Sequence, residues 1–197
     1  MEIILGSQSP RRRELMAGLD LPFTAINIDA DETYPAGLKA GDIPYYISRA
    51  KAQAYAPQLQ PDQLLITADT IVWLDGQMLG KPHDEADAIT MLRLLSGKTH
   101  QVYTAVTFAH LHLDASTSRN LEISTIVDKT DVTFKELTDE EIRHYVTQYR
   151  PLDKAGAYGV QEWIGYIACT AMNGSYFNVM GFPVHRVYEQ LKNRGIV

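Results

Sequence analysis

The interpretation of the fold starts from one stretch near the N-terminus: Glu2-Ile3-Ile4-Leu5-Gly6-Ser7-Gln8-Ser9-Pro10-Arg11-Arg12-Arg13. Its apolar start predicts a buried strand, and the residues that follow Arg13 predict a helix. Ser9 is a favourable helix N-cap, and Pro10 suits the first helical position because its missing N–H is not needed there. The stretch therefore predicts a strand joined to a helix by a short polar turn.

Two arginines of this stretch indicate a phosphate-binding turn. Arg11 and Arg12 fall in the first helical turn, where basic residues oppose the helix dipole. A bound anion would reverse that penalty, because backbone N–H groups and two guanidinium groups would converge on it beside Ser7 and Ser9. A solvated basic turn before an ordinary helix explains the same residues, and the stretch by itself does not separate the two. Ser9 is interpreted as a cap rather than a nucleophile, because no His and Asp partners are evident.

Composition restricts the class of protein. The chain has 197 residues, 45% hydrophobic and 21% charged, which predicts one globular domain over residues 1–197. A formal net charge of −6 argues against broad binding to nucleic acid or acidic membranes but allows a small anionic ligand. The single cysteine, Cys169, permits no internal disulfide. With no signal-peptide pattern and no membrane-spanning run, we expect a cytoplasmic protein.

The remaining pattern mixes helices with long strands. The strongest strand is Leu64–Leu74, whose almost continuous apolar character predicts burial on both faces. Helices are predicted over 43–59, 84–95, 138–149 and 184–193, and further strands over 23–28, 77–79, 102–113, 121–134, 164–170 and 176–180. Residues 114–120 are predicted to form a hairpin loop. This order predicts an α/β (or α+β) fold with a central mixed β-sheet flanked by helices.

Acidic residues supply the first candidates for chemistry. Asp69 lies inside the strongest strand, where an unpaired carboxylate is unfavourable to bury. Such a group serves proton transfer, metal binding or a buried ion pair; a buried pair with an arginine or an exposed strand end is the alternative, but a buried acid in a strong strand favours a functional role. Asp31 and Glu32 add oxygen ligands suited to Mg²⁺ or Mn²⁺. Considered alone, those two fit a solvated acidic loop better.

Basic and small residues supply a second set. Lys51, Lys81 and Lys154 stand near turns or glycines, and each alone is best explained as a surface residue. Together with the two arginines they could surround a polyphosphate. The small-residue loop 153–161 would let a ligand approach the backbone closely, although a tight turn beside a strand explains it too. His110 and His112 are interpreted as exposed strand residues rather than a metal pair.

These motifs, taken in order, resemble the Maf family of nucleoside triphosphate pyrophosphatases along essentially the whole chain. The matching segments are Ser7 to Arg12, Asp31-Glu32, Arg49 to Ala52, Ala68 to Val72, Gly80-Lys81-Pro82, Ser96 to Val102, Asp153 to Gln161, Asn173 to Tyr176 and Gly181-Phe182-Pro183. The resemblance implies a fold shared with inosine triphosphate pyrophosphatases and a cleft between two lobes. It also implies hydrolysis of a nucleoside triphosphate to the monophosphate and pyrophosphate, a divalent cation (Mg²⁺ or Mn²⁺), and a homodimer.

The resemblance also implies roles for individual residues. Asp69 matches the family's proton acceptor, while Arg11, Thr70 and Gln161 match positions tied to base selection and indicate the branch acting on dTTP and UTP. The expected substrate-binding residues are Ser7, Ser9, Arg11, Arg12, Lys51, Thr70, Lys81, Lys154 and Gln161, and the expected metal ligands are Asp69, Glu32 and Asp31. Gln8 and Glu162-Trp163-Ile164 depart from the family pattern. The sequence leaves open whether Asp69 is base or metal ligand, and whether the protein is instead a nucleotide-binding regulator of cell division without turnover.

Overall fold

The computed structural model describes residues 1–113 and 119–197. The strands are β1 (Glu2–Gly6), β2 (Phe23–Ile26), β3 (Gln63–Leu74), β4 (Gln77–Leu79), β5 (Thr99–Leu113), β6 (Arg119–Phe134) and β7 (Cys169–Asn173). The helices are α1 (Pro10–Ala17), α2 (Asp42–Tyr55), α3 (Glu85–Leu95), α4 (Asp139–Tyr149), α5 (Trp163–Ala168), α6 (Tyr176–Val179) and α7 (Val184–Asn193). Of the loop predicted over 114–120, residues 114–118 lie outside the described residues, and residues 119 and 120 belong to β6.

The described strands form one mixed sheet in the order β2-β1-β3-β5-β6-β7, with β4 paired to the end of β3. β1 runs parallel to β2 and β3, whereas β3, β5, β6 and β7 pair antiparallel with one another in sequence. The predicted central mixed sheet flanked by helices is therefore confirmed.

The middle of the sheet is buried on both faces, as its sequence predicts. On one face Leu64 and Ile66 of β3 pack in the same cluster as Met16 of α1 and Val187 of α7. On the other face Leu65 packs in the same cluster as Ala52 of α2. A second large cluster joins α3, α4 and α5 to the far ends of β3, β5 and β6. Two groups of helices thus pack on different parts of one sheet.

Local capping signals are confirmed. Ser9 is the N-cap of α1 with Pro10 at its first position, and Thr138 forms a capping box with Glu141 at the start of α4. One helix and one strand end earlier than predicted. α2 stops at Tyr55 because Pro57 cannot continue it, and β2 stops at Ile26.

One predicted strand is wrong, and another is wrong in its first five residues. Residues 164–168 of the strand predicted over 164–170 are helical in α5, and the strand predicted over 176–180 is the short helix α6. The apolar and aromatic residues there favour strands by propensity. In α5, however, Ile164 and Ala168 are buried four residues apart, which is a helical repeat. In α6, Ser175 caps the helix by accepting the N–H of Asn178 at 3.3 Å.

Candidate active site

A cavity of about 650 Å³ opens where β1 ends beside the middle of β3. β1 pairs with β3 only as far as Gly6 opposite Thr67, so Asp69 and Thr70 lie beyond that pairing. The volume lies in the range of small-molecule sites. All nine predicted substrate-binding residues line it, and so do Asp69 and Glu32.

The turn between β1 and α1 forms one wall. The N–H of Ser9 donates to Oγ of Ser7 at 3.2 Å, and Oγ of Ser9 accepts the N–H of Arg12 at 3.4 Å. Both serine oxygens therefore shape the turn. Within the described residues, the backbone N–H groups of Gln8 and Arg11 have no protein acceptor. These amides remain available to an anion.

Arg12 is held firmly by the protein itself. Its Nε donates to the carbonyl of Gly181 at 2.8 Å, Nη1 to the carbonyl of Ala68 at 2.9 Å and Nη2 to Oγ1 of Thr70 at 2.9 Å. Three of its five N–H groups are thus occupied, and two remain. Burial lowers the pKa of Arg12, and the nearby Asp69 charge opposes that effect. Arg12 ties α1 to β3 and still presents a fixed positive charge.

Lys51 joins the two carboxylates expected to do chemistry. Its Nζ lies 2.9 Å from Oδ1 of Asp69 and 2.9 Å from Oε1 of Glu32. The side chains of Lys51 and Asp69 are only 12% and 13% exposed, whereas that of Glu32 is 55% exposed. Asp69 therefore has a buried ion pair, but with a lysine rather than the arginine considered from the sequence.

Burial gives the two carboxyl groups different acidities. Burial raises the pKa of Asp69 above the ordinary aspartate value, against the opposing charges of Lys51 and Arg12. For Glu32, partial burial also acts to raise the pKa, but the charge and hydrogen bond of Lys51 outweigh it and the net shift is downward. Asp69 is consequently the stronger base of the two.

Asp31 does not join this group. It is exposed, and its Oδ1 accepts the N–H of Thr33 at 2.8 Å, which shapes its own loop and lowers the pKa of its carboxyl group. It is absent from the described residues that line the cavity. Because neighbouring side chains in an extended loop point in different directions, Glu32 reaches Lys51 and Asp31 does not. Across residues 1–113 and 119–197, no three His, Cys, Asp or Glu residues cluster as a metal site.

The loop over 153–162 brings in two acidic residues that sequence reasoning did not propose. Asp153 binds Nη1 of Arg11 at 3.2 Å and Nζ of Lys154 at 2.7 Å. Glu162 binds Nζ of Lys154 at 3.1 Å. Burial raises the pKa of Asp153, but Lys154 and Arg11 outweigh it, so the net shift is downward. The small-residue motif pointed to this loop, whereas Glu162 stood out only as a departure from the family pattern.

Thr70 and Gln161, the two side chains suited to base recognition, differ in the hydrogen-bonding positions that they have free. Oγ1 of Thr104 donates to the carbonyl of Asn178 at 2.9 Å, so Thr70 must donate its own proton to Thr104. Thr70 also accepts from Arg12, which leaves only an acceptor site on its oxygen. Within the described residues the amide of Gln161 and the ammonium of Lys81 make no hydrogen bond or ion pair. Both line the cavity with their full hydrogen-bonding capacity.

The histidine pair lies elsewhere. His112 contacts Glu122 at 2.9 Å, and His110 contacts the carbonyl of Pro61 at 2.9 Å. Neither residue is among those described as lining the large cavity.

Comparison with known proteins gives a consistent match. The model of the family described as Maf-like protein matches residues 2–194. Curated relatives named dTTP/UTP pyrophosphatase include one from Phocaeicola vulgatus, 53% identical over 97% of this chain and 95% of its own. Others come from Bacteroides thetaiotaomicron, 52% identical over 97% of this chain and 95% of its own, and from Porphyromonas gingivalis, 51% identical over 98% and 94%.

Solved structures align with much lower sequence identity. The Ham1 protein of Staphylococcus aureus aligns with a TM-score of 0.40 and 15% identity, over 71% of this chain and 73% of its own. A nucleoside-triphosphatase / dITP/XTP pyrophosphatase from Mycobacterium abscessus aligns with a TM-score of 0.41 and 11% identity, over 100% and 96%. In this chain, none of the helices in the described ranges is long and apolar enough to cross a membrane.

Proposed function

Because the chain belongs to the Maf-like protein family, we propose that it hydrolyses dTTP and UTP to the nucleoside monophosphate and pyrophosphate. One observation carries the proposal. A nearly buried carboxylate, Asp69, is paired with Lys51 inside a cavity that also holds Arg11, Arg12 and Lys81. A base beside several phosphate-binding cations is the arrangement that hydrolysis of a triphosphate needs.

The acidic residues fit a divalent cation. Oδ1 of Asp69 and Oε1 of Glu32 already converge on one positive charge, the ammonium of Lys51, at 2.9 Å each. Mg²⁺ is commonly held by one or two carboxylates together with substrate phosphates and water. Asp69 and Glu32 would hold Mg²⁺ or Mn²⁺, and Asp31 would not reach it from its position. Such an ion, when bound, polarises phosphate oxygens and lowers the pKa of water.

Asp69 acts as the proton acceptor. Its Oδ1 faces Lys51, while Oδ2 accepts no hydrogen bond from the described residues. Oδ2 is therefore the oxygen of Asp69 that can take a proton from an attacking water. The two oxygens of one carboxylate can thus divide the roles that the sequence left open. Water attacks the α-phosphorus, and pyrophosphate leaves toward the basic residues.

The cations neutralise charge on the phosphates. Arg12 contributes its two remaining N–H groups from a fixed position, and Lys81 contributes an ammonium that makes no hydrogen bond or ion pair with the described residues. Arg11 and Lys154, which share Asp153, and the Ser7–Ser9 turn complete the polyphosphate side. Charge that develops on the leaving group is thereby stabilised.

Gln161 selects the base. Its amide offers one donor and one acceptor, which match the O4 acceptor and N3–H donor of uracil and thymine. Cytosine presents the reverse pattern, so an amide held in the orientation that fits uracil would face a second donor or a second acceptor there. Thr70 supports this choice as an acceptor only, because its proton is given to Thr104.

The test measures pyrophosphate release by the purified protein with dTTP, UTP, CTP, ATP and GTP in Mg²⁺ or Mn²⁺. We expect kcat/KM for dTTP and UTP to exceed that for CTP about ten- to a hundredfold, since an unpaired buried polar group costs about 1–3 kcal/mol. Chelation by EDTA should stop turnover. A preference for purines would overturn the base assignment. Tight nucleotide binding without any pyrophosphate release would favour the regulator of cell division.

The cellular setting completes the proposal. A cytoplasmic location is supported by the single cysteine, Cys169, which suits a reducing compartment. The net charge of −6 supports a nucleotide rather than a nucleic acid or a membrane as the partner. A homodimer follows from the family resemblance, and sedimentation equilibrium tests it.

A further inference from the structure

A buried tyrosine outside the cavity is the starting point. Tyr145 of α4 is fully buried and is not among the described residues that line the cavity. Its hydroxyl donates to Oε2 of Glu162 and accepts the N–H of Gly159 at 3.1 Å. One hydroxyl therefore binds two points of the loop that carries Gln161.

Glu162 continues this connection to the cavity. While Oε2 accepts from Tyr145, Oε1 lies 3.1 Å from Nζ of Lys154. Lys154 lines the cavity, is only 10% exposed, and also contacts Asp153 at 2.7 Å. Asp153 in turn holds Arg11 at 3.2 Å. A continuous polar chain thus runs from the interior of α4 to the turn after β1.

Gly159 couples this chain to the base-selecting side. A Cβ atom at Gly159 would lie 2.9 Å from Cδ of Glu162 and 3.1 Å from Nε2 of Gln161. The carboxyl group and the amide therefore both rest against one glycine, whose N–H is held by Tyr145. A shift of the Gly159 backbone toward these side chains would therefore press on Gln161 as well as on Glu162.

The Tyr145 hydroxyl, which donates to Glu162, stays protonated over a wide pH range. Burial and the hydrogen-bonded carboxylate of Glu162 raise the pKa of Tyr145 above its ordinary value. The hydroxyl therefore keeps its proton throughout the neutral range, and Glu162 keeps its partner.

We propose that Tyr145 and Glu162 are positioning residues that place Lys154 for the phosphates and Gln161 for the base. The proposal rests on the function proposed above and deepens it, because neither residue needs to touch substrate. Tyr145 acts through Gly159 and Glu162, and Glu162 acts through Lys154.

Two substitutions separate the two effects. Tyr145→Phe removes only the hydroxyl, so the Gly159 N–H loses its acceptor and Gln161 loses its fixed position. We expect the ratio of kcat/KM for UTP to that for CTP to fall at least about fivefold. Glu162→Gln keeps an acceptor for Tyr145 but removes the charge that faces Lys154. We expect KM for UTP and CTP to rise together about fivefold or more, with kcat changed less than about threefold.

Tyr149→Phe is the matched control. Tyr149 lies on the same helix, stacks on Tyr145 with ring centroids 5.1 Å apart, and is exposed. Its hydroxyl makes none of the contacts that link Tyr145 to Arg11. This variant should therefore keep the wild-type KM and the wild-type ratio of kcat/KM for UTP to that for CTP. Thermal unfolding of all three variants shows whether any loss of activity reflects loss of fold.

The results decide the proposal in each case. It is overturned if Tyr145→Phe lowers only the unfolding temperature and keeps the UTP-to-CTP ratio, and Glu162→Gln keeps the wild-type KM. If Tyr145→Phe does not fold, Glu162→Gln decides alone, because the Glu162 side chain is partly exposed and contacts Lys154 of the cavity wall. If the wild-type protein binds nucleotides without hydrolysing them, the proposed function fails. Calorimetric Kd values for UTP and CTP then replace KM, with the same changes expected.

Discussion

At the scale of single residues, Asp69 shows how a carboxylate survives inside an apolar strand. Lys51 supplies an opposite charge at 2.9 Å, and Arg12 adds a second positive charge nearby. Burial nevertheless prevails, and the pKa of Asp69 is raised. The same desolvation that makes the residue unfavourable for folding makes it a useful base.

Asp69→Asn should abolish turnover while nucleotide binding persists. The amide keeps the shape of the side chain but can neither accept a proton nor carry charge, so kcat should fall by about 10²- to 10⁴-fold. Steady-state kinetics and calorimetric binding of UTP measure the two effects. Asp75→Asn is the control: Asp75 is exposed in the turn after β3, pairs with Lys98 at 3.0 Å, and has a φ of 49° that asparagine tolerates. A kcat for Asp69→Asn within a few-fold of wild type would remove Asp69 from the mechanism.

At the scale of elements, α5 fixes the loop that precedes it. A Cβ atom at Gly165 would lie 1.8 Å from the carbonyl oxygen of Val160. The helix can therefore approach residue 160, immediately before Gln161, only because position 165 lacks a side chain. This close approach places a base-selecting residue by backbone packing rather than by a side-chain contact.

Gly165→Ala should destabilise the protein and weaken base selection together. The added methyl group must push α5 away from Val160, and overpacking of this kind costs about 1–3 kcal/mol. Urea unfolding measures the free energy, and the UTP-to-CTP ratio reports the displacement of Gln161. Gly18→Ala is the comparison, because Gly18 has a φ of −66° and its nearest neighbour would be 3.5 Å from the methyl group. Equal stability of the two variants would show that α5 can move without penalty.

At the scale of the whole molecule, a buried histidine links stability to pH. His100 of β5 is buried, its Nε2 hydrogen-bonds the hydroxyl of Tyr158 at 2.8 Å, and its ring meets Phe134 edge to face. Burial lowers the pKa of His100 to about 4. Because an unfolded histidine has a pKa near 6.5, the unfolded chain binds a proton that the folded protein rejects between about pH 6.5 and 4.

Stability should therefore fall as the pH decreases through that interval. The contribution of His100 is complete above about pH 6.5 and is lost progressively toward pH 4, amounting to about 3 kcal/mol. Urea unfolding of wild type and His100→Gln at several pH values measures it, since glutamine keeps a neutral polar partner for Tyr158. The free energy of unfolding should change more steeply with pH in the wild type than in the variant. Parallel slopes would show that other groups account for the acid sensitivity.

Sequence alone was sufficient wherever the signal lies within a few residues. The Ser9 cap with Pro10, the Thr138 capping box and the two-sided burial of β3 are local patterns of side-chain chemistry and periodicity, and the structure confirms each. The ordered motifs likewise predicted the family, and with it the candidate site. Lys81 and Gln161, which those motifs also singled out, line the cavity.

Tertiary structure decided what depends on distant parts of the chain. The contact of Arg11 with Asp153 spans 142 positions, and that of Tyr145 with Glu162 joins α4 to a loop beyond it. Propensity predicted strands at α5 and α6, but packing against Val160 and the buried Asn178 selected helices. Glu32 rather than Asp31 meets Lys51 for the same reason. Such pairings depend on which surfaces the folded sheet brings together. The local sequence around each residue does not indicate which distant residue it will contact.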